Sequence, residues 1–231
     1  MSVCRALVTG AETDLGAAVR AHLDNSGART VGAHSRPCTT TDPVVHADPA
    51  DARQVRAAVR QATDVMGGLD VLVVAHPLPV VAPLQEQSMA EFWSHIDTTL
   101  SGSFYYAQAA AEVMRDAGTG GRIVLTTSKW HVGGRNLSAV ATAAGGIVAL
   151  TKTLTRDFGR FRVGVNAVAV GAVNSEWSVC DAATDAPMPP GGACGSVDQV
   201  ARVIALLCRH RLGAAVGQIV NVDGGLSRNR V

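Results

Sequence analysis

Ser128-Lys129-Trp130-His131 sets a hydroxyl, an ammonium and an imidazole within four consecutive residues, directly after an apolar run. Near neutral pH an imidazole can act as general base and an amine can polarise a carbonyl or form a Schiff base. A hydroxyl adds a hydrogen-bond donor. Ser128, Lys129 and His131 are therefore the candidate catalytic residues, with His76 and Arg135 as candidate anion stabilisers. A solvated loop would carry the same three polar side chains, and that reading stays open. Trp130 and Trp177 suit either the packing of such a loop or a pocket wall. Cys180 lies near two carboxylates, Glu176 and Asp181, but no base is placed beside it, so an inert thiol is the simpler reading. No histidine pair has a metal-binding spacing, and no metal is expected.

A second constellation is Thr9-Gly-Ala-Glu-Thr-Asp-Leu-Gly16, between a strand-like run and a helical one. Glycines are wanted where a backbone turns tightly against a pyrophosphate and a helix N-terminus offers its amides. Gly10 and Gly16 meet that need, and Thr13 and Leu15 lie between them. Position 14 is Asp, which would repel a pyrophosphate or else cap the helix through its carboxylate. Further along, Ser35 and Arg36 close the second strand-like run, where they are placed to take a 2′-phosphate and favour NADP(H). A solvated arginine beside Pro37 is the alternative. Asp48 is placed to meet an adenine or to face solvent, and Ala75 ends the central apolar run.

The elements that must position these residues alternate. Strands are expected at 5–9, 28–33, 69–75, 122–127, 162–169 and 217–222. Helices are expected from 15 to Gly27, across 55–65, and at 88–98, 100–116, 137–158 and 197–210. Pro/Thr-rich and Pro/Gly-rich stretches at 37–43 and 171–195 read as loops. Such alternation implies βαβ crossovers: an α/β, Rossmann-type, doubly wound parallel sheet of about seven strands, flanked by helices. One domain spans 1–231, and ligands would bind beyond the carboxyl ends of the strands.

Composition excludes other classes. The 231 residues carry a formal net charge of +1, which gives no field for nucleic acid or acidic lipid. No run is long enough to span a membrane, and the N-terminus passes straight into a strand without a signal-peptide pattern. Five scattered cysteines without a C-x-x-C pair suit free thiols in a reducing cytoplasm.

In order along the whole chain, Thr9-Gly10…Gly16, Leu69–Ala75, Gly102-Ser-Phe104, Gly121–Ser128, Leu150-Thr-Lys152, Val165–Ala169 and Gly217–Gly225 resemble the short-chain dehydrogenase/reductase family. The resemblance implies a Tyr proton donor, a Lys four residues later, a carbonyl-polarising Ser and a relay Asn. Registering the long helix on Leu150-Thr-Lys152 puts Val140 and Ala144 at the Tyr and Lys positions, and Thr99 at the Asn position. Ser128 fills the Ser position, and Ser175 stands where a Thr meets the nicotinamide end. The only tyrosines are Tyr105 and Tyr106, on an earlier helix. Val74-Ala75-His76-Pro77 and Val170-Gly171 replace the family's Asn-Asn-Ala-Gly and Pro-Gly.

Three functions compete on these grounds. The first expectation is a non-redox enzyme that dehydrates, cyclises or isomerises a carbonyl-bearing metabolite. The second is a catalytically silent subunit partnering an active relative. The third is an NADP(H)-dependent ketoreductase with an unrecognised proton donor. The small side chains of Ser138–Gly146, on a helix that commonly forms a subunit interface in this family, imply a homodimer, a homotetramer or a hetero-oligomer with another family member.

Overall fold

The computed structural model describes residues 3–37, 40–75 and 79–227. His76, Pro77 and Cys38 lie outside these residues. Seven parallel strands form the central sheet: β1 (Arg5–Thr9), β2 (Arg29–His34), β3 (Val44–His46), β4 (Val71–Val74), β5 (Gly121–Ser128), β6 (Val163–Val170) and β9 (Ile219–Val222). Their order is β3-β2-β1-β4-β5-β6-β9. A separate parallel pair, β7 (Val173–Asn174) and β8 (Gly195–Ser196), lies in the stretch expected to be a loop.

The strands are apolar on both faces because helices cover both. Leu7, Leu72, Ile123 and Val165 pack on one side with α2 (Ala52–Met66), α4 (Gly102–Ala117) and α5 (Ser138–Phe158). Val8, Val73, Val124 and Val168 pack on the other with α1 (Asp14–Asn25) and α7 (Val197–Leu207). This alternation is the period of two that a strand imposes. Among the described residues, no helix is long and apolar enough to cross a membrane.

Three details differ from the sequence reading. The helices expected at 88–98 and 100–116 are joined, since α3 (Met89–Ile96) runs into α4 through a π-turn at Asp97–Ser101. The helix α6 (Ser178–Ala183) and the strands β7 and β8 occupy the Pro/Gly-rich stretch. β3 has three residues, too few to show a period. The small residues of α5 do permit close packing, but part of it is internal: a Cβ on Gly146 would lie 2.7 Å from Leu100.

At the amino ends of the strands, Arg5 locks β1 to the start of β4. Its amide, Nε and Nη2 all donate to the Asp70 carboxylate, at 3.0, 2.8 and 2.7 Å. Burial opposes ionisation of Asp70, but the bonds from Arg5 outweigh it and hold the carboxyl below its ordinary range. At pH 7, Asp70→Asn should cost about 2 kcal/mol in urea unfolding. A depressed carboxyl contributes stability above its unfolded pKa and loses it as pH falls through the folded one. The gap between wild type and variant should therefore close on acidification below about pH 4.

Candidate active site

The β1–α1 turn is shaped by close backbone approach. Gly10 has φ +58°, and a Cβ there would sit 2.9 Å from the Ala75 carbonyl oxygen. At Gly16 a Cβ would fall against the Gly10 carbonyl, so neither position admits a side chain without movement. Thr9 Oγ1 donates to the same Ala75 oxygen at 3.1 Å, holding the loop over the end of β4. The helix cap is Thr13, whose Oγ1 accepts from Gly16 N at 3.1 Å, and not Asp14. The free amide of Asp14 instead donates to Glu176 Oε1 at 2.9 Å.

Two clefts flank this turn. One, of about 420 Å³, is lined by Gly10, Glu12, Ser35, Ala47, Pro49 and Ala75. There the Ser35 amide and hydroxyl both donate to Glu12 Oε1, at 2.8 and 2.6 Å. Arg36 is exposed, and Asp48 accepts from Ala50 N in a surface turn. Tyr106 is buried against this cleft; burial, followed by the charges of Glu12 and Asp48, raises its pKa. The other cleft, of about 490 Å³, is lined by Thr13, Leu15, Thr127, Val170, Ser175 and Glu176. It shares Val170, Ser175 and Trp177 with a smaller pocket of about 220 Å³ that reaches Ser128, Cys180 and Asp181.

Of the three candidate catalytic residues, only Ser128 faces this space. Its Oγ accepts from Trp130 N at 3.2 Å, which leaves the hydroxyl proton available to a ligand. Lys129 is turned into the protein: it is buried, and its Nζ lies 2.8 Å from Asp181 Oδ1 and 4.7 Å from the Trp130 ring centre. Asp181 also accepts from Trp130 Nε1 at 3.1 Å and from Ala172 N at 2.8 Å. Gly171 makes room for the lysine stem, since a Cβ there would overlap Lys129 Cδ. His131 is half-buried with Nδ1 2.9 Å from Ser128 O, and it does not line these clefts. Arg135 is exposed, 3.9 Å from Asp185.

Val140 and Ala144 are both buried on α5. Val140 packs with Leu137 and Cys180, against Val81, Trp130 and Trp177. Burial, reinforced by Asp181, pushes the Cys180 thiol up to about 12, which makes it a poor nucleophile. In the π-turn, Thr99 is buried and its Oγ1 has no partner among the described residues; one turn earlier, the buried His95 Nε2 has none among them either. Burial lowers the pKa of His95 to about 4. Sequence reasoning missed the parts played by Glu12, Glu176 and Asp181. The first had a signal, a carboxylate inside the glycine turn, while the others depend on contacts across the fold.

Residues 9–227 match the family model described as "Enoyl-(Acyl carrier protein) reductase". The chain belongs to the short-chain dehydrogenase/reductase family. It is 27% identical to a 3-oxoacyl-[acyl-carrier-protein] reductase of Synechocystis sp., over 96% of each chain. It is 31% identical to cis-4-hydroxycyclohexanecarboxylate dehydrogenase of Sinomonas cyclohexanicum, over 95% of each. A crystal structure of a short-chain type dehydrogenase/reductase from Mycobacterium marinum superposes with a TM-score of 0.89 at 26% identity, covering 98% of this chain and 96% of that one. These relatives overturn the expectations of a non-redox enzyme and of a silent subunit, because each is named for an oxidoreduction along nearly the whole chain.

The Lys129–Asp181 pair makes a stability prediction. Asp181→Ala leaves a buried ammonium unpaired and should cost about 3 kcal/mol or more in urea unfolding. The double variant Lys129→Met/Asp181→Ala should recover part of that loss, whereas additive losses would show that the pair is not coupled.

Proposed function

We propose that this protein is a nicotinamide-dinucleotide-dependent oxidoreductase that interconverts a secondary alcohol and a carbonyl on a largely apolar substrate. The observation that carries the reading is a glycine turn opening onto two clefts, one of which shares Val170, Ser175 and Trp177 with a pocket lined by Ser128. Relatives named as reductases and dehydrogenases over the same length support it. The clefts and the free helix N-terminus suit a dinucleotide: Gly10 and Gly16 keep the turn bare, and Asp14 N holds only a surface carboxylate that a pyrophosphate can displace.

The bare turn at Gly10 and Gly16 and the Asp14 amide would hold a nicotinamide dinucleotide, which would supply a hydride to the carbonyl carbon. Ser128 donates its hydroxyl proton in a hydrogen bond to the substrate oxygen, the group on which negative charge develops. Trp130, Trp177 and Val173 give the pocket apolar walls for the substrate body. In this reading Val140 and Ala144 stand in place of the family's Tyr and Lys, so no side chain of α5 serves as proton donor there, and the proton comes from solvent through Ser128. General acid catalysis is commonly worth about 10²–10⁴-fold, and turnover should be slower than in relatives that retain the tyrosine by a factor of that order.

We further propose an oligomer. Trp93 and Phe104 on α3 and α4 are exposed, at 53% and 40%, as an interface would require. A relative from Thauera aromatica, 32% identical over 77% of this chain and 71% of its own, is named as a dehydrogenase subunit. The described cysteines Cys4, Cys180, Cys194 and Cys208 are free thiols, which supports a reducing cytoplasmic setting.

The test is absorbance of the reduced dinucleotide with an acetoacetyl thioester, and the reverse reaction with cis-4-hydroxycyclohexanecarboxylate. Wild-type protein should turn over at least one, and Ser128→Ala should lower kcat by about 100-fold with dinucleotide binding intact. Equal turnover in Ser128→Ala would remove this serine from the reaction.

A further inference from the structure

We propose that Glu12 reads the adenosine ribose and makes this protein selective for NAD(H) over NADP(H). The inference rests on the dinucleotide reading above and deepens it. In a doubly wound sheet the adenosine ribose lies at the end of the second strand, where a carboxylate accepts from the 2′-hydroxyl or a cation meets a 2′-phosphate. Here the end of β2 is Ser35, and both of its donors, the amide and the hydroxyl, converge on Glu12 Oε1 at 2.8 and 2.6 Å. The carboxylate is thereby fixed at the rim of the cleft that also holds Gly10, Ala47 and Pro49.

Both bonds fall on Oε1, and the second Glu12 oxygen is the acceptor offered to a ribose hydroxyl. A 2′-phosphate would bring about two further negative charges against this carboxylate and would need the two Ser35 donors that Glu12 already holds. Arg36, the cation that follows Ser35 in the chain, is exposed and absent from the cleft lining. Asp48, one residue beyond the cleft-lining Ala47, adds a second carboxylate on the same side. The local charge therefore favours two neutral hydroxyls over a phosphate. Glu12 comes from the glycine turn itself, 23 residues before its partner, so selection and pyrophosphate approach are built into one loop.

The experiment is calorimetric titration of the intact protein with NADH and with NADPH, for wild type, Glu12→Ser and Arg36→Ala. Thermal melting confirms that each variant is folded. Wild type should bind NADH at least about tenfold more tightly than NADPH. Glu12→Ser should bring the ratio near unity, mainly by gaining NADPH affinity, and Arg36→Ala should leave it unchanged. Tighter NADPH binding in wild type, or a ratio untouched in Glu12→Ser, overturns the selector while leaving the oxidoreductase reading intact. Binding of neither dinucleotide by wild type overturns both.

Discussion

The turn at Gly10 is held against the end of β4, and the rest of the site is arranged around that contact. Thr9 Oγ1 and the bare Cα of Gly10 both close on the Ala75 carbonyl, and Gly16 in turn packs on Gly10. With no side chain in the way, the first turn of α1 presents its amides to the space between two clefts. Glu176 reaches across 162 residues to take the Asp14 amide, and Glu12 takes Ser35. The protein's own carboxylates thus occupy positions that suit phosphate or ribose oxygens.

The second organising contact is the Asp181 carboxylate. It gathers Lys129, Trp130 Nε1 and Ala172 N, tying the segment after β5 to the segment after β6 and to α6. From that segment Ser128 and Trp130 line the pocket, and Ser128 brings the hydroxyl. Lys129 has its charge balanced by Asp181 and its stem laid over Gly171. A buried pair of this kind orients its neighbours at a desolvation cost, and one partner without the other is worse than neither.

The sheet was legible because its strands are apolar on both faces and end in turn residues, a pattern set locally. The positions of Gly10, Gly16, Thr13 and Ser128 were legible for the same reason, since each follows from a strand–turn–helix unit. Gly10, Thr13 and Ser128 line the clefts or the pocket beside them, and Gly16 packs on Gly10. Lys129 and His131 take directions that were not legible. Both belong to the same polar run as Ser128, but a 3₁₀ turn at Lys129–Val132 sends the three side chains in different directions. The partner that removes Lys129 from the pocket, Asp181, lies in a short helix with no sequence signal of its own. Family resemblance also misled: absence of a Tyr and Lys pair on α5 was read as absence of redox chemistry. Relatives matched over 95–96% of the chain are themselves named as a reductase and a dehydrogenase.

The central claim is that a dinucleotide docks on the α1 N-terminus in place of the Glu176 carboxylate. The backbone amide resonance of Asp14, followed in isotope-labelled protein during titration with NADH, tests it most directly. A saturable shift of Asp14 at micromolar NADH, matched by Glu176→Gln protein with tighter binding, is the result the account predicts. An Asp14 amide unmoved up to millimolar NADH would contradict it.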